Sequence, residues 1–257
     1  MPMQLVLVLA SIVVANATAA WFRAARRVDP GPILWKMLFA GFGAARLVFV
    51  LRHADLYASA PLAALDLRDG GFDGVAGFVT ALVIGAELSR RTPLLRQSLL
   101  AAVLAGCALY FGGTTLNHAL SAEQAPVPAV ALRRLDGSPV ALTSFAGRPM
   151  VVNLWASWCP PCRREMPAMQ ATQRAHPELT FVFVNQGESA ETVSAYLAAH
   201  GLATQNVVLD PAKQVSTRTA TSGYPTTLFY DATGRLYLRH MGELSRATLE
   251  EKIELRR

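Results

Sequence analysis

Residues 150–165 read Met150-Val-Val-Asn153-Leu-Trp155-Ala-Ser-Trp158-Cys159-Pro160-Pro161-Cys162-Arg-Arg-Glu165. The run from Met150 to Trp155 is apolar except for Asn153 and has the length of a buried strand. The residues from Cys162 to about Ala175 read as an amphipathic helix, so the C-x-x-C sits where a strand hands over to a helix. A helix start places the first sulfur beside unpaired backbone N–H groups and the positive end of the helix dipole. That position favours thiolate over thiol and makes Cys159 the nucleophile. Cys162 lies about one turn on, where it can close a disulfide with Cys159 or resolve a mixed one. A zinc site would need a second thiolate or histidine pair, which a chain with three cysteines does not supply. A purely structural bridge across so short a loop would constrain little.

Outward from this stretch, apolar runs alternate with amphipathic ones, the pattern of an α/β domain. Thr180 to Asn185 reads as a second buried strand, and Ala190 to His200 as a helix. Pro225 to Tyr230, the turn Asp231-Ala-Thr-Gly234 and Arg235 to His240 form a predicted hairpin. Val130 to Leu135 and Pro139 to Leu142 suggest another, and Ala247 to Leu255 a terminal helix. Residues 121–128 (Ser-Ala-Glu-Gln-Ala-Pro-Val-Pro) read as a short, stiff spacer between residues 1–120 and a soluble domain over 129–257.

The segment Asn153 to Pro167 strongly resembles the thioredoxin fold, and within it the TlpA/ResA/DsbE-type membrane-anchored thiol–disulfide reductases. The resemblance continues through Val184-Asn-Gln-Gly187-Glu188-Ser189, Val208-Leu-Asp210, Gly223-Tyr224-Pro225-Thr-Thr227 and Gly234-Arg235, covering about 128–255. It implies that Pro225 is a cis-proline opposite the cysteine pair. That residue would leave the Tyr224 backbone open to pair with a substrate peptide and would offer no N–H of its own. Trp158, Pro160 and Pro161, with Tyr224 and Pro225, are the candidate substrate-binding residues. Classical thioredoxins carry an aspartate at the position of Asn153, which cannot titrate. Glu165, three residues after Cys162 on the same helix face, matches a partly buried glutamate of this subfamily. Burial would raise its pKa and suit it to take the proton of Cys162; the alternative is a glutamate that merely complements the helix dipole. Glu188 is a further candidate. The resemblance also implies reduction of protein disulfides in the periplasm, including those of apocytochrome c, with the Cys159–Cys162 disulfide as the only redox group. Metal has no expected role.

The first 120 residues differ in kind. Apolar residues make up 52% of the 257 and charged ones 16%, against about 25% charged in soluble domains, and mean hydropathy is +0.29. Four stretches account for the excess, at about 5–22, 33–51, 74–88 and 97–116. About 19 helical residues rise about 28 Å, enough for a hydrocarbon core of about 30 Å; the third stretch is the shortest. Four transmembrane helices in front of a thioredoxin-like α/β domain are therefore expected. Arg23, Arg26, Arg27 and Lys36 follow the first stretch, and Arg90, Arg91 and Arg96 the third. The positive-inside rule puts those loops in the cytoplasm, and both termini and the cysteine pair on the outer side of a bacterial inner membrane. A cleaved leader is the rival reading for residues 1–20, since Ala17-Thr-Ala19 has suitably small residues, but Met-Pro-Met-Gln carries no positive charge.

Arg46 and Asp73 are polar residues within or beside these stretches and are functional candidates for that reason. Asp73 is placed to pair with Arg46 or Arg52, and Arg46 alternatively snorkels to the headgroups. Cys107 reads as a small apolar filler. Gly43-Ala-Ala-Arg46-Leu47 and Asp69-Gly-Gly-Phe72, followed by Gly74-Val-Ala-Gly77, resemble pieces of the membrane fold of prolipoprotein diacylglyceryl transferase. The second piece lacks that family's histidine, and its glycine-arginine-asparagine signature has no match here. The resemblance therefore concerns helix arrangement and not lipid transfer. The net charge of +6 divides evenly, with 10 basic against 7 acidic residues in 1–124 and 14 against 11 in the rest. No basic stripe interleaved with aromatics marks a nucleic-acid partner.

The expected function is a membrane-anchored periplasmic thiol–disulfide oxidoreductase that acts as a reductase. Because the spans hold one cysteine, a separate membrane electron donor has to reload it. The alternatives are a disulfide oxidase or isomerase on the same fold, or a module that binds lipid or a partner in the membrane and carries a redox-sensing domain.

Overall fold

The computed structural model describes residues 3–58, 61–120 and 125–254. They divide into two compact units, residues 1–64 with 71–121 and residues 65–70 with 122–257.

In the first unit, helix α1 (Met3–Arg26) packs along α5 (Pro93–Leu120), and α2 (Gly31–Arg52) along α4 (Gly74–Ser89); a short α3 (Ala54–Ala58) follows α2. Glycine sets the close approach of α2 and α4. A methyl group on Gly77 would lie 2.9 Å from the Gly41 carbonyl oxygen, the small-residue packing typical of membrane helices. Among the described residues, three helices are long and apolar enough to cross a membrane: Val6–Arg26, Gly31–Arg52 and Pro93–Leu116. The expectation of four such spans is corrected here, because Gly74–Ser89 has 16 residues, or about 24 Å of helix. It is short because it starts late. Asp73 caps it by accepting the Ala76 N–H at 2.8 Å, while its own N–H donates to the Ala45 carbonyl at 3.0 Å. That contact lies about two turns before the end of α2.

The pairing of Asp73 is settled as well. Its carboxylate meets Arg52 at 2.6 Å. Arg46, 8% exposed, instead donates to backbone carbonyls of the segment that leads into α4. Nε bonds Ala64 at 2.9 Å, Nη1 bonds Gly71 at 2.8 Å and Nη2 bonds Ala63 at 3.3 Å. The rings of Phe49, Tyr57 and Phe72 surround its guanidinium. Arg46 is thus a staple for irregular backbone and does not snorkel.

The second unit is one mixed sheet of seven strands in the order β2-β1-β5-β4-β3-β6-β7. The strands are β1 (Ala131–Arg134), β2 (Pro139–Ala141), β3 (Met150–Trp155), β4 (Thr180–Gln186), β5 (Val207–Asp210), β6 (Thr226–Tyr230) and β7 (Leu236–Met241). The helices are α6 (Pro160–Ala175), α7 (Ala190–Ala199), α8 (Gln214–Arg218) and α9 (Arg246–Glu254). β3 runs parallel to β4, and β4 to β5, whereas β6 runs antiparallel to β3, and β7 antiparallel to β6. Successive residues of β3 point to opposite faces. Val151 and Trp155 join one core, with Phe181, Phe183, Cys162 and Met166. Met150, Val152 and Leu154 join the other, with Val182, Val184 and Leu228. A strand covered on both faces reads as a continuous apolar run. Of the expected spacer, residues 121–124 lie outside the described residues. Residues 125–127 pair with the turn after β6: Val127 N–H donates to Gly234 at 2.9 Å, and Leu236 N–H to Ala125 at 3.0 Å.

Candidate active site

The site is built where β3 ends and α6 begins. Cys159 is the N-cap of α6, with Pro160 and Pro161 opening the first turn, where the N–H that proline lacks would have no helical partner. The Cys159 sulfur accepts the Cys162 N–H at 3.3 Å, so a backbone donor points at the expected nucleophile. Cys159 and Cys162 form a disulfide, with Cα atoms 5.3 Å apart. Cys159 is 3% exposed and Cys162 fully buried, so the outer sulfur is the one a substrate can reach.

Around it the sequence candidates converge. Trp158 is 61% exposed, its ring standing edge-on to Tyr224 at 6.2 Å. Pro160 is exposed and Pro161 half-buried. The Tyr224–Pro225 bond is cis. Antiparallel pairing of Thr226 with Leu154 brings this dipeptide beside the end of β3 that leads to the cysteines. Tyr224 packs against the core that contains Cys159, and its hydroxyl reaches Gln186 Oε1 at 3.3 Å. Arg46 and Asp73 belong to the other unit.

Beneath the pair lies Glu165, which is 1% exposed. Asn153 Nδ2, in the middle of β3, donates to Glu165 Oε1 at 2.7 Å and to Thr227 Oγ1 at 3.2 Å. The Leu244 N–H donates to Glu165 Oε2 at 3.1 Å. Burial pushes the Glu165 carboxyl up to about 8; the Asn153 and Leu244 donors pull the other way without cancelling it, and the charge of Glu243 adds to the rise. At neutral pH Glu165 therefore holds its proton while the cysteines are oxidised.

A second carboxylate fixes the loop before the cysteines. Glu188 Oε2 accepts the Ser157 N–H at 2.7 Å and Asn185 Nδ2 at 2.6 Å, and Oε1 accepts the Ser157 hydroxyl at 2.5 Å. Gly187, at φ +84°, makes the turn that aims Glu188 back at this loop. Ser157 and Asn185 escape a reading by spacing alone, as does the bidentate pair of Arg164 with Glu243, whose Nε–Oε2 distance is 2.9 Å. Only the Gly-Glu-Ser resemblance pointed toward Glu188. Among the described residues no cluster of three or more His, Cys, Asp or Glu could hold a metal ion.

Residues 122–253 match the Redoxin family model. The chain belongs to the redoxin family. This redoxin is 30% identical over 137 residues to the thioredoxin-like protein YneN of Bacillus subtilis, covering 52% of this chain and 79% of that one. It is 29% identical over 126 residues to the thiol-disulfide oxidoreductase ResA of Halalkalibacterium halodurans, covering 48% and 71%. The structure of a thiol:disulfide interchange protein from Chlorobium tepidum is similar at 26% identity with a TM-score of 0.46, covering 52% of this chain and 97% of that one. A redoxin with a C-x-x-C disulfide at the head of its helix is a thiol–disulfide oxidoreductase.

Proposed function

We propose that this oxidoreductase reduces disulfides of other proteins on the outer side of a bacterial inner membrane, held there by its N-terminal helices. The observation that carries the reading is Glu165, buried one helical turn from Cys162, near a sulfur that accepts a backbone N–H at the helix N-terminus, with burial holding its carboxyl above the usual carboxylate range. In the reduced chain the Cys159 thiolate attacks a substrate disulfide, forms a mixed disulfide and expels one substrate thiolate. Cys162 then loses its proton to the Glu165 carboxylate and attacks the Cys159 sulfur. The second substrate thiol leaves, and the chain ends as the disulfide. Two electrons pass to the substrate. For reloading, a donor thiolate attacks Cys159, the departing Cys162 thiolate takes its proton back from Glu165, and the donor's second thiolate then breaks the mixed disulfide, releasing the Cys159 thiolate and leaving the donor as its disulfide. The cysteine pair is the whole redox machinery, and a separate membrane carrier supplies the electrons. Trp158, Pro160, Pro161, Tyr224 and Pro225 receive the substrate chain. Proposed substrates are oxidised apocytochrome c and other envelope proteins, in keeping with the TlpA/ResA/DsbE resemblance.

What supports the anchor is the set of three apolar helices long enough to cross a bilayer, Val6–Arg26, Gly31–Arg52 and Pro93–Leu116. Redox titration of the full chain in micelles, together with trapping by Cys162→Ser in cells, tests the function. A potential in the region of thioredoxin's, about −270 mV, and trapped envelope proteins are expected. A potential near that of strong oxidants, about −120 mV, would reverse the direction.

A further inference from the structure

Two consecutive residues of α6 grip two consecutive residues of the loop after β7. Arg164 forks onto Glu243, with Nε at 3.1 Å from Oε1 and 2.9 Å from Oε2. Glu165 accepts the N–H of Leu244, the next residue. The loop has independent backbone support, since the Gly242 N–H donates to the Pro225 carbonyl at 2.9 Å. The ion pair is therefore not needed merely to hold the loop in place. Arg164 is about half exposed and Glu243 nearly buried, which leaves the carboxylate close to the buried site and its counter-charge on the solvent side.

We propose that Arg164 and Glu243 form a positioning pair that tunes proton transfer at Glu165, with Arg164 cancelling the charge that Glu243 presents to the buried carboxyl. This inference rests on the reading of Glu165 as the proton acceptor for Cys162. Arg164 also lies in the field of Asp66, a charge that none of the variants below removes. From β3 and β6, Asn153 and Thr227 are uncharged. On β7, burial first and then Lys252 hold His240 down to about 4, so it is neutral in the working range. On α9, burial lowers Lys252, Arg246 pairs with Glu250 at 3.7 Å, and Glu250 also bonds His176. The charge of Glu243 raises the proton's hold on Glu165, and Arg164, forked onto the same carboxylate, is the charge placed to oppose it.

The test is the pH dependence of oxidation of the reduced full chain, in micelles, by a small aromatic disulfide. Each turnover converts two thiols of the chain to its disulfide and releases two small thiols. Glu165→Gln identifies the inflection that belongs to Glu165 by removing it. Glu243→Gln is expected to move that inflection to lower pH, and Arg164→Gln to higher pH, each by roughly half a unit, or about threefold in ionised fraction. The double variant is expected to return to the parent's position, because both charges leave together. Shifts of the two single variants in the same direction, no shift in either, or a double variant that fails to return would overturn the proposal while leaving Glu165 in its role. An inflection that survives Glu165→Gln would overturn the proton reading and this inference together.

Discussion

Asn153 and Glu165 show how a single substitution relative to classical thioredoxins changes the chemistry of the site. Where an aspartate would bring a second titrating carboxyl under the cysteines, Asn153 brings an amide that donates to Glu165 at 2.7 Å. A single carboxyl then occupies the site, which avoids the splitting of two coupled titrations. The consequence for stability has a definite sign. Glu165 binds its proton more tightly in the fold than in the unfolded chain, with a value of about 8 against 4.5. Its contribution is fully present below the unfolded value and is lost as pH rises through the folded one. Oxidised protein is therefore expected to lose on the order of a few kcal/mol between pH 5 and pH 9. Glu165→Gln should flatten that slope. Urea midpoints of the sheet unit, read by pulse proteolysis of the full chain at the two pH values, check it. An equal slope in the variant would assign the loss to other groups.

At the scale of elements, α6 is held at both ends, and the two ends do different work. Its N-terminus carries the cysteine pair, and its interior Pro167 removes one helical hydrogen bond without ending the helix. Its C-cap, His176, sits between two carboxylates, with Nδ1 2.9 Å from Glu178 and Nε2 2.5 Å from Glu250 of α9. Burial lowers the imidazole's affinity for its proton, but the bonds to Glu178 and then Glu250 outweigh it, and the net shift is upward. This clamp therefore stabilises the packing of α6 on α9 in acid and weakens as pH rises through the raised value. His176→Gln is expected to lower the urea midpoint at pH 5.5 and to have little effect at pH 8.5. A larger loss at the higher pH would contradict the assignment. The core between α6 and the sheet, with Met166, Met169 and Phe181, is independent of pH and sets the baseline for both measurements.

For the whole molecule, the number of crossings made by the N-terminal helices decides on which side of the bilayer the chemistry takes place. With α1 starting outside, four crossings return the chain to the outer side, whereas three would leave the cysteine pair in the reducing cytoplasm, where disulfides rarely persist. In a background with all three cysteines changed to serine, Ser222→Cys is expected to react with an impermeant maleimide in permeabilised-envelope cells, and Arg91→Cys only after lysis. The reverse pattern would remove α4 from the membrane. Much of this architecture was legible in the chain itself. The four apolar stretches, the strand before Cys159, the helix after it and both hairpins rest on periodicity and turn residues within a few positions of one another. Such local patterns act through local sterics and burial. The cysteine pair was equally legible, because one helical turn fixes both sulfurs relative to the same dipole end. The environment of those sulfurs was not. The Leu244 N–H reaches Glu165 across 79 residues, and Glu188 reaches Ser157 across 31. Arg46 donates to carbonyls 17 to 25 residues away. Which polar group meets which is settled by how strands and loops from distant parts of the chain come together, and a buried group's charge depends on those neighbours and on the exclusion of water. Sequence alone marked the two sulfurs and Glu165, because they lie within one short stretch; the tertiary structure decided which distant groups, Asn153 and Leu244, meet that carboxyl, because burial and long-range packing select its neighbours.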